Sequence, residues 1–94
     1  MFYIDAVHYA EDSNGNKLHI ESVKGTFNLT ERASKIYTKQ AIIDYINKGN
    51  SVKTKYYRNY QWCVGEDVRV IDNRYLRTDA NNIKSDNLEN LPEY

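Results

Sequence analysis

The first part of the chain alternates between apolar and polar positions in two stretches with a turn between them. FYIDAVHYA, at residues 2–10, is rich in aromatic and β-branched side chains, and KLHIESVKGTF follows at residues 17–27. Asn14-Gly15 lies between them, and Asn-Gly in that position is the strongest short signal for a β-hairpin. With a two-residue turn, one face would gather Phe2, Ile4, Ala6, Val23 and Phe27. A shift of one residue would exchange the two faces.

The middle of the chain has helical periodicity. Thr38 is a suitable N-cap, and Gly49 stands where a helix often ends on a left-handed residue. The polar residues 28–37 before it predict a loop with a short turn. The apolar positions of the helix share one face and are Ala41, Ile42, Tyr45 and Ile46. Their spacing predicts a helix of about three turns that packs on a sheet.

The alternating pattern returns after the helix. Strands are predicted within residues 51–57, 62–64, 68–71 and 75–78, with a turn or bulge at GED, residues 65–67, and a hairpin loop at Asp72-Asn73-Arg74. Helices and strands do not alternate along the chain. The order is ββα followed by three or four strands, ββαβββ at its shortest, and it predicts an α+β fold in which one main helix packs on a small and largely antiparallel sheet. A chain of 94 residues is expected to form one domain, residues 1–94.

The last residues, SDNLENLPEY, are too patterned for a disordered tail. Leu88 and Leu91 are three apart and would share one face of a single helical turn. We expect this turn to dock on the sheet as a latch, since burying both leucines would stabilise the domain by about 3–5 kcal/mol. Arg77 could fix its register through Asp79 or Asp86. The predicted latch consists of Arg77, Asp86, Leu88, Leu91 and Pro92.

Several of these motifs occur together, and in the same order, in a known family. They are His19, Ile20 and Val23; the helix end from Ile46 to Gly49; YLRT at residues 75–78; and Asp86 to Pro92 followed by Tyr94. The chain resembles a small bacterial and phage family catalogued as domain of unknown function 3892. It departs from that pattern in the longer segment FNLTERASKIY and in the aromatic run at residues 56–62. The resemblance implies a compact single domain and no particular activity.

Composition limits the class of protein. The formal net charge is zero, so there is no overall basic field for nucleic acid or an anionic membrane. A single cysteine, Cys63, excludes an internal disulfide and fits a reducing cytoplasm. There is no apolar run long enough to span a membrane and no signal peptide, so we expect a cytoplasmic protein. Abundant Lys, Asn, Ile and Tyr hint at an AT-rich bacterial or phage genome.

One basic and aromatic segment is the leading candidate for binding. Positive charge follows a phosphate backbone and aromatic rings stack on bases, but Trp, Tyr and Arg are also the usual anchors of protein interfaces. We expect a non-enzymatic domain that binds a protein, and a phage product that blocks a host protein is compatible with this expectation. The alternative partner is single-stranded nucleic acid. The simplest structural interpretation is an ordinary strand with one solvated side. A homodimer that forms through an exposed strand edge is also compatible with the sequence. The candidate binding residues are Lys53, Lys55, Tyr57, Arg58, Tyr60 and Trp62.

Other chemistry is weakly supported. In the register above, His8, His19 and Glu21 share a face, which is a metal-site composition without any ligand-spacing motif. Cys63 has no base beside it in sequence and is expected to be a buried, inert thiol. The acids of the C-terminal segment, Asp79, Asp86, Glu89 and Glu93, are expected on a solvated surface. We therefore predict no metal, no cofactor and no enzymatic activity.

Overall fold

The computed structural model describes residues 1–78, 86–88 and 91–94. The elements in these ranges are β1 (Phe2–Glu11), β2 (Lys17–Thr26), β3 (Lys35–Thr38), α1 (Lys39–Asn47), β4 (Val52–Arg58), β5 (Gln61–Asp67), β6 (Arg69–Ile71) and β7 (Tyr75–Arg77). Five strands form a sheet in the order β3-β2-β1-β4-β5, and β6 and β7 form a separate pair. The fold is α+β, as predicted, with one more strand before the helix than expected.

The five-stranded sheet is mixed rather than fully antiparallel. β1 and β4 run parallel, with Phe2 beside Val52 and Ile4 beside Thr54. The other three pairings of this sheet are antiparallel. A parallel pair needs a long crossover connection, and here β2, β3 and α1 supply it. The crossover brings β4 and β5 to the side of β1 that β2 does not occupy.

The first hairpin closes through a loop of three residues, one more than predicted. The amide of Gly15 donates to the carbonyl of Asp12 at 3.1 Å, and Gly15 has a φ of 80°, which glycine adopts without steric cost. The Asp12 carboxylate accepts from the amides of Asn14 at 2.8 Å and Asn16 at 2.9 Å. These bonds, foremost that from Asn16, lower the pKa of Asp12.

Irregular pairing in β1 changes which residues face the core. The register shifts between Ile4 and Ala6, and again near Tyr9. Val7 takes the buried place predicted for Ala6, and Phe27 is 63% exposed, so the predicted face was wrong at these two positions. A uniform register cannot anticipate bulges. The buried apolar cluster consists of Phe2, Ile4, Val7, Ile20, Val23, Ile42, Ile43, Val52, Val68, Leu76 and Leu88.

Helix α1 begins and ends where the sequence predicts. The Thr38 hydroxyl accepts from the amide of Ala41 at 3.1 Å, and Gly49 has a φ of 95°. Ile42 and Ile43 are buried, whereas Ala41 is exposed. Residues 35–37, predicted as loop, and the cap residue Thr38 form β3, an edge strand of the sheet. The helix has nine residues and, as the only one in the described ranges, is far too short to cross a bilayer.

The described part of the tail is held by main-chain hydrogen bonds to two strands. Asn87 donates to the carbonyl of Leu76 at 2.8 Å and accepts from the amide of Thr78 at 3.1 Å. Farther along, the carbonyl of Pro92 accepts from the amide of Val7 at 2.9 Å. The tail therefore adds short extended segments beside β7 and β1.

Side chains fix the tail as well. Leu88 is 1% exposed, and Leu91 packs against the same core. Asp86, expected on a solvated surface, has a side chain only 1% exposed, because its carboxylate joins three elements. Its partners are the amide of Ile20 at 2.7 Å, the amide of Leu76 at 2.8 Å and the Lys39 ammonium at 3.0 Å. The predicted helical turn passes through residues 89–90, which, like Asp79, lie outside the described residues.

Candidate functional site

The predicted binding residues lie on the hairpin formed by β4 and β5, at one edge of the five-stranded sheet. Its turn is Asn59-Tyr60, with φ of 53° and 64°. A two-residue turn with both φ positive is one for which Asn-Gly is preferred, so Tyr60 takes a place suited to glycine. Its side chain is 95% exposed. A bulky residue in this region costs on the order of 1 kcal/mol, so the hairpin holds a strained aromatic residue at its tip.

The hairpin presents its side chains on two faces. Tyr57 and Trp62 are cross-strand partners, and their rings meet edge to face with centroids 5.3 Å apart. Tyr56 alternates to the other face. There it lines a cleft of about 390 Å³ together with Leu88 and Leu91 of the tail, and Tyr57 and Arg58 also border this cleft. The side chains of the aromatic run are therefore presented on two faces that meet at the cleft.

Lys55 is buried, which corrects its prediction as a surface binding residue. It is 0% exposed, and its ammonium donates to three main-chain carbonyls: those of Asn28 at 2.9 Å, Leu29 at 3.2 Å and Glu31. These carbonyls belong to residues 28–34, which we call the covering loop. The loop folds back over β4 from far away in sequence, and local alternation could not reveal this.

A buried carboxylate accompanies Lys55. Asp5 of β1 places Oδ2 3.9 Å from the Lys55 ammonium and accepts from the amide of Ala33 at 2.7 Å. Burial lowers the pKa of Lys55, and the attraction of Asp5 opposes that shift in part. The pair therefore joins two neighbouring strands of the sheet to the covering loop.

Two cations lie close to the Trp62 ring. The Lys55 ammonium is 4.2 Å from the ring centroid, and the Arg32 guanidinium carbon is 5.1 Å from it. Both distances permit cation–π attraction. Arg32 belongs to the covering loop and is exposed, yet sequence reasoning missed it, because no spacing relates it to the hairpin.

The surface of the hairpin carries less available positive charge than its sequence suggests. Lys53 lies 3.1 Å from Asp67 on β5 and is neutralised by it. Lys55 is buried, which leaves Arg58 as the exposed cation of the three predicted. Arg32 adds a second positive charge near Trp62. The face that carries Tyr57 and Trp62 is thus mainly aromatic, with Arg32 beside it and Arg58 on the opposite face.

The candidate metal residues meet only in part. His8 Nε2 lies 3.4 Å from Glu21 Oε2, while His8 Nδ1 contacts the main-chain oxygen of Tyr94. No group of three or more His, Cys, Asp or Glu is placed to hold a metal within residues 1–78, 86–88 and 91–94, so His19 does not complete the predicted set there.

The remaining chemical candidates are placed as follows. Cys63 is partly exposed rather than buried, because it lies on the edge strand β5. The contact of its sulfur with the carbonyl of Gln61 spans 3.9 Å and supplies no base. Glu93 is exposed and pairs with Lys17. Asp79 and Glu89 lie outside the described residues.

Comparison with known proteins supplies the family and nothing on activity. Neither curated proteins nor solved structures gave a match to this chain. The family described as "Protein of unknown function (DUF3892)" matches residues 3–92. Since this match covers nearly all of the 94 residues, the chain belongs to the DUF3892 family, as its motifs indicated.

Proposed function

We propose that this protein is a small non-enzymatic interaction domain that binds a protein partner through the β4–β5 hairpin. The observation that carries the proposal is Tyr60, an aromatic residue 95% exposed in a turn position that favours glycine. Strain of this kind is concentrated at functional positions, because folding alone gives no reason to keep it. A partner that buries the ring would supply that reason.

The neighbouring residues suit a protein interface. Tyr57 and Trp62 form a packed aromatic pair behind the tip, with Arg32 beside Trp62, while Arg58 alternates to the opposite face of the hairpin. Trp, Tyr and Arg are the residue types that dominate the binding energy of protein interfaces. We infer that Tyr57, Tyr60 and Trp62 are the anchors and that the arginines select an acidic or neutral partner surface.

The edge of the sheet offers a second means of attachment. β5 pairs only with β4 among the strands of the described residues, so its other side can accept an added strand. The added strand can come from a partner or from a second copy of this chain. Either would bring main-chain hydrogen bonds next to the aromatic anchors.

Nucleic acid is the weaker proposal for the same surface. Of the three predicted cations, Lys55 is buried and Lys53 is paired with Asp67, and phosphate binding depends on available positive charge. A cytoplasmic, phage-related role that blocks a host protein stays a proposal, and it is compatible with the small size and with a single cysteine.

Capture from bacterial lysate, with and without nuclease, tests the proposal. We expect a stoichiometric protein that survives nuclease. Tyr57→Ala should release it more completely than Arg58→Ala, because anchors contribute more than exposed charges. Leu18→Ser is the matched control, since Leu18 is also an exposed apolar residue but lies on β2. Capture lost on nuclease treatment, or a larger effect of Arg58→Ala, would favour nucleic acid and contradict the proposal.

A further inference from the structure

A pocket lined by aromatic rings lies between α1 and the part of the sheet formed by β1, β2 and β3, and it shares no lining residue with the β4–β5 hairpin. Its volume is about 220 Å³. The ring of Phe2 packs edge-on against three others, with centroids 5.0 Å from Phe27, 5.2 Å from Tyr37 and 5.9 Å from Tyr45. Ala41 and Ile42 of the helix complete the lining. We call this the aromatic pocket.

A glycine makes room for one of these rings. A Cβ on Gly25 would lie 2.3 Å from Cζ of Phe2, far inside contact distance. Glycine within a strand weakens it and commonly marks a close approach. Gly25 therefore lets the Phe2 ring lie across β2, where it forms the inner wall of the pocket.

The pocket also has an uncovered side. Phe27 is 63% exposed although it packs on Phe2, and Ala41 is exposed on the helix face that was predicted to be apolar. Few polar atoms line the space. An apolar group that enters it would gain contact with rings on several sides and displace water from them.

The charge beside the pocket is positive. The Lys35 ammonium lies 5.3 Å from the centroid of Tyr37, one of the lining rings. None of the described lining residues is acidic. A ligand with an anionic end would therefore be attracted, and one with a cationic end repelled.

We propose that the aromatic pocket binds a small molecule with one aromatic ring and a carboxylate. The ring of this ligand would lie among the four lining rings, and its carboxylate would point toward Lys35. The size supports one ring, because an apolar cavity of about 150 Å³ is enough for benzene, whereas sites for drug-sized ligands start at about 300 Å³. This site is separate from the hairpin and does not depend on the function proposed for it.

Three probes that share a benzyl group and differ in charge test the proposal: phenylacetate, phenylacetamide and phenethylammonium, titrated into isotopically labelled protein and followed by backbone NMR shifts. For ten or so heavy atoms we expect a Kd on the order of 1 mM for phenylacetate. Phenylacetamide should bind more weakly than phenylacetate, and phenethylammonium should bind most weakly. The shifted signals should be those of the lining residues.

Variants locate the site. Ala41→Leu fills the pocket from an exposed helix position and should weaken phenylacetate binding at least about tenfold, since a steric block removes the ring's place. Gln40→Leu is the matched control, because Gln40 is the exposed residue just before Ala41 and does not line the pocket. It should leave binding unchanged. Phe27→Ala removes a wall and gives a second test if Ala41→Leu disturbs the helix. Lys35→Met should weaken phenylacetate by roughly two- to fivefold and abolish the preference over the amide.

Several results would overturn the proposal. One is the absence of NMR shifts with every probe at about 10 mM, ten times the expected Kd. Others are shifts at residues outside the pocket and equal affinity for all three probes. Pocket signals that move with protein concentration alone would show that a second copy of the chain is the occupant instead.

Discussion

On one face of the five-stranded sheet, Ile4, Val7 and Val23 lie in an apolar core beneath α1 and the tail. On the other face, Asp5 and Lys55 are just as buried beneath the covering loop. The apolar face is held by burial, which has no direction and tolerates changes of shape. The polar face is held by a few bonds of fixed geometry. The apolar face supplies most of the stability of the domain, and the polar face determines where the covering loop lies.

The difference explains the role of Lys55. Replacing a buried ion pair by apolar residues is often neutral or stabilising, so the pair is not needed for stability alone. Here it fixes the covering loop, which carries Arg32, and lies against the ring of Trp62. We infer that Lys55 is a positioning residue for the hairpin surface rather than a binding residue.

The largest expected effect comes from breaking the polar face. Lys55→Ala leaves Asp5 buried without its partner and should lower the free energy of unfolding by about 3–5 kcal/mol. Lys53→Ala is the matched control on the same strand, because its exposed pair with Asp67 contributes less than about 1 kcal/mol. Urea denaturation measures both. Similar losses for the two lysines would mean that the polar face does not hold the covering loop.

The apolar face should respond to lost volume. Leu88→Ala removes a fully buried side chain and should lower the free energy of unfolding by about 2–4 kcal/mol. Leu91→Ala should lower it less, because Leu91 is only partly buried. In a domain of this size each kcal/mol lowers Tm by about 4–8 °C, so calorimetry resolves the two. An unchanged Tm for Leu88→Ala would show that the tail is not part of the core.

A pH dependence sharpens the contrast between the faces. Burial lowers the pKa of Lys55 below its ordinary 10.5, so between these two pKa values the unfolded chain holds a proton that the folded chain has released. The contribution of Lys55 to the free energy of unfolding should therefore rise with pH in that window, by at most about 1.4 kcal/mol per pH unit. Below the lowered pKa it should be constant.

The measurement is the difference in unfolding free energy between the wild type and Lys55→Met as a function of alkaline pH. The difference isolates Lys55 from the other lysines and tyrosines that titrate there. A difference that falls as pH rises would contradict a lowered pKa. Leu88→Ala, on the apolar face, should show no such trend relative to the wild type.

Local signals in the sequence predicted much of the fold. The cap at Thr38, the left-handed Gly49 and the hairpins are determined by neighbouring residues, and the structure contains all of them. Bulges in β1 and the parallel pairing of β1 with β4 depend on distant contacts, and no local pattern predicts them.

The candidate site was only partly predictable for the same reason. The aromatic residues of the hairpin were found from their order, but Lys55 was misplaced because the covering loop reaches it from 24 to 27 residues away. Asp86 was likewise expected at the surface, although it lies between β2, β7 and α1. Buried polar contacts between distant residues leave no periodic pattern in a sequence.

We propose that the hairpin keeps Tyr60 in a strained turn because a protein partner buries its ring. Tyr60→Gly creates the preferred Asn-Gly turn and removes the ring. We measure, on one preparation, the free energy of unfolding and the amount of partner captured after nuclease. We expect the free energy of unfolding to rise by about 0.5–1 kcal/mol and most of the captured protein to be lost. Unchanged capture by the stabilised variant would contradict it.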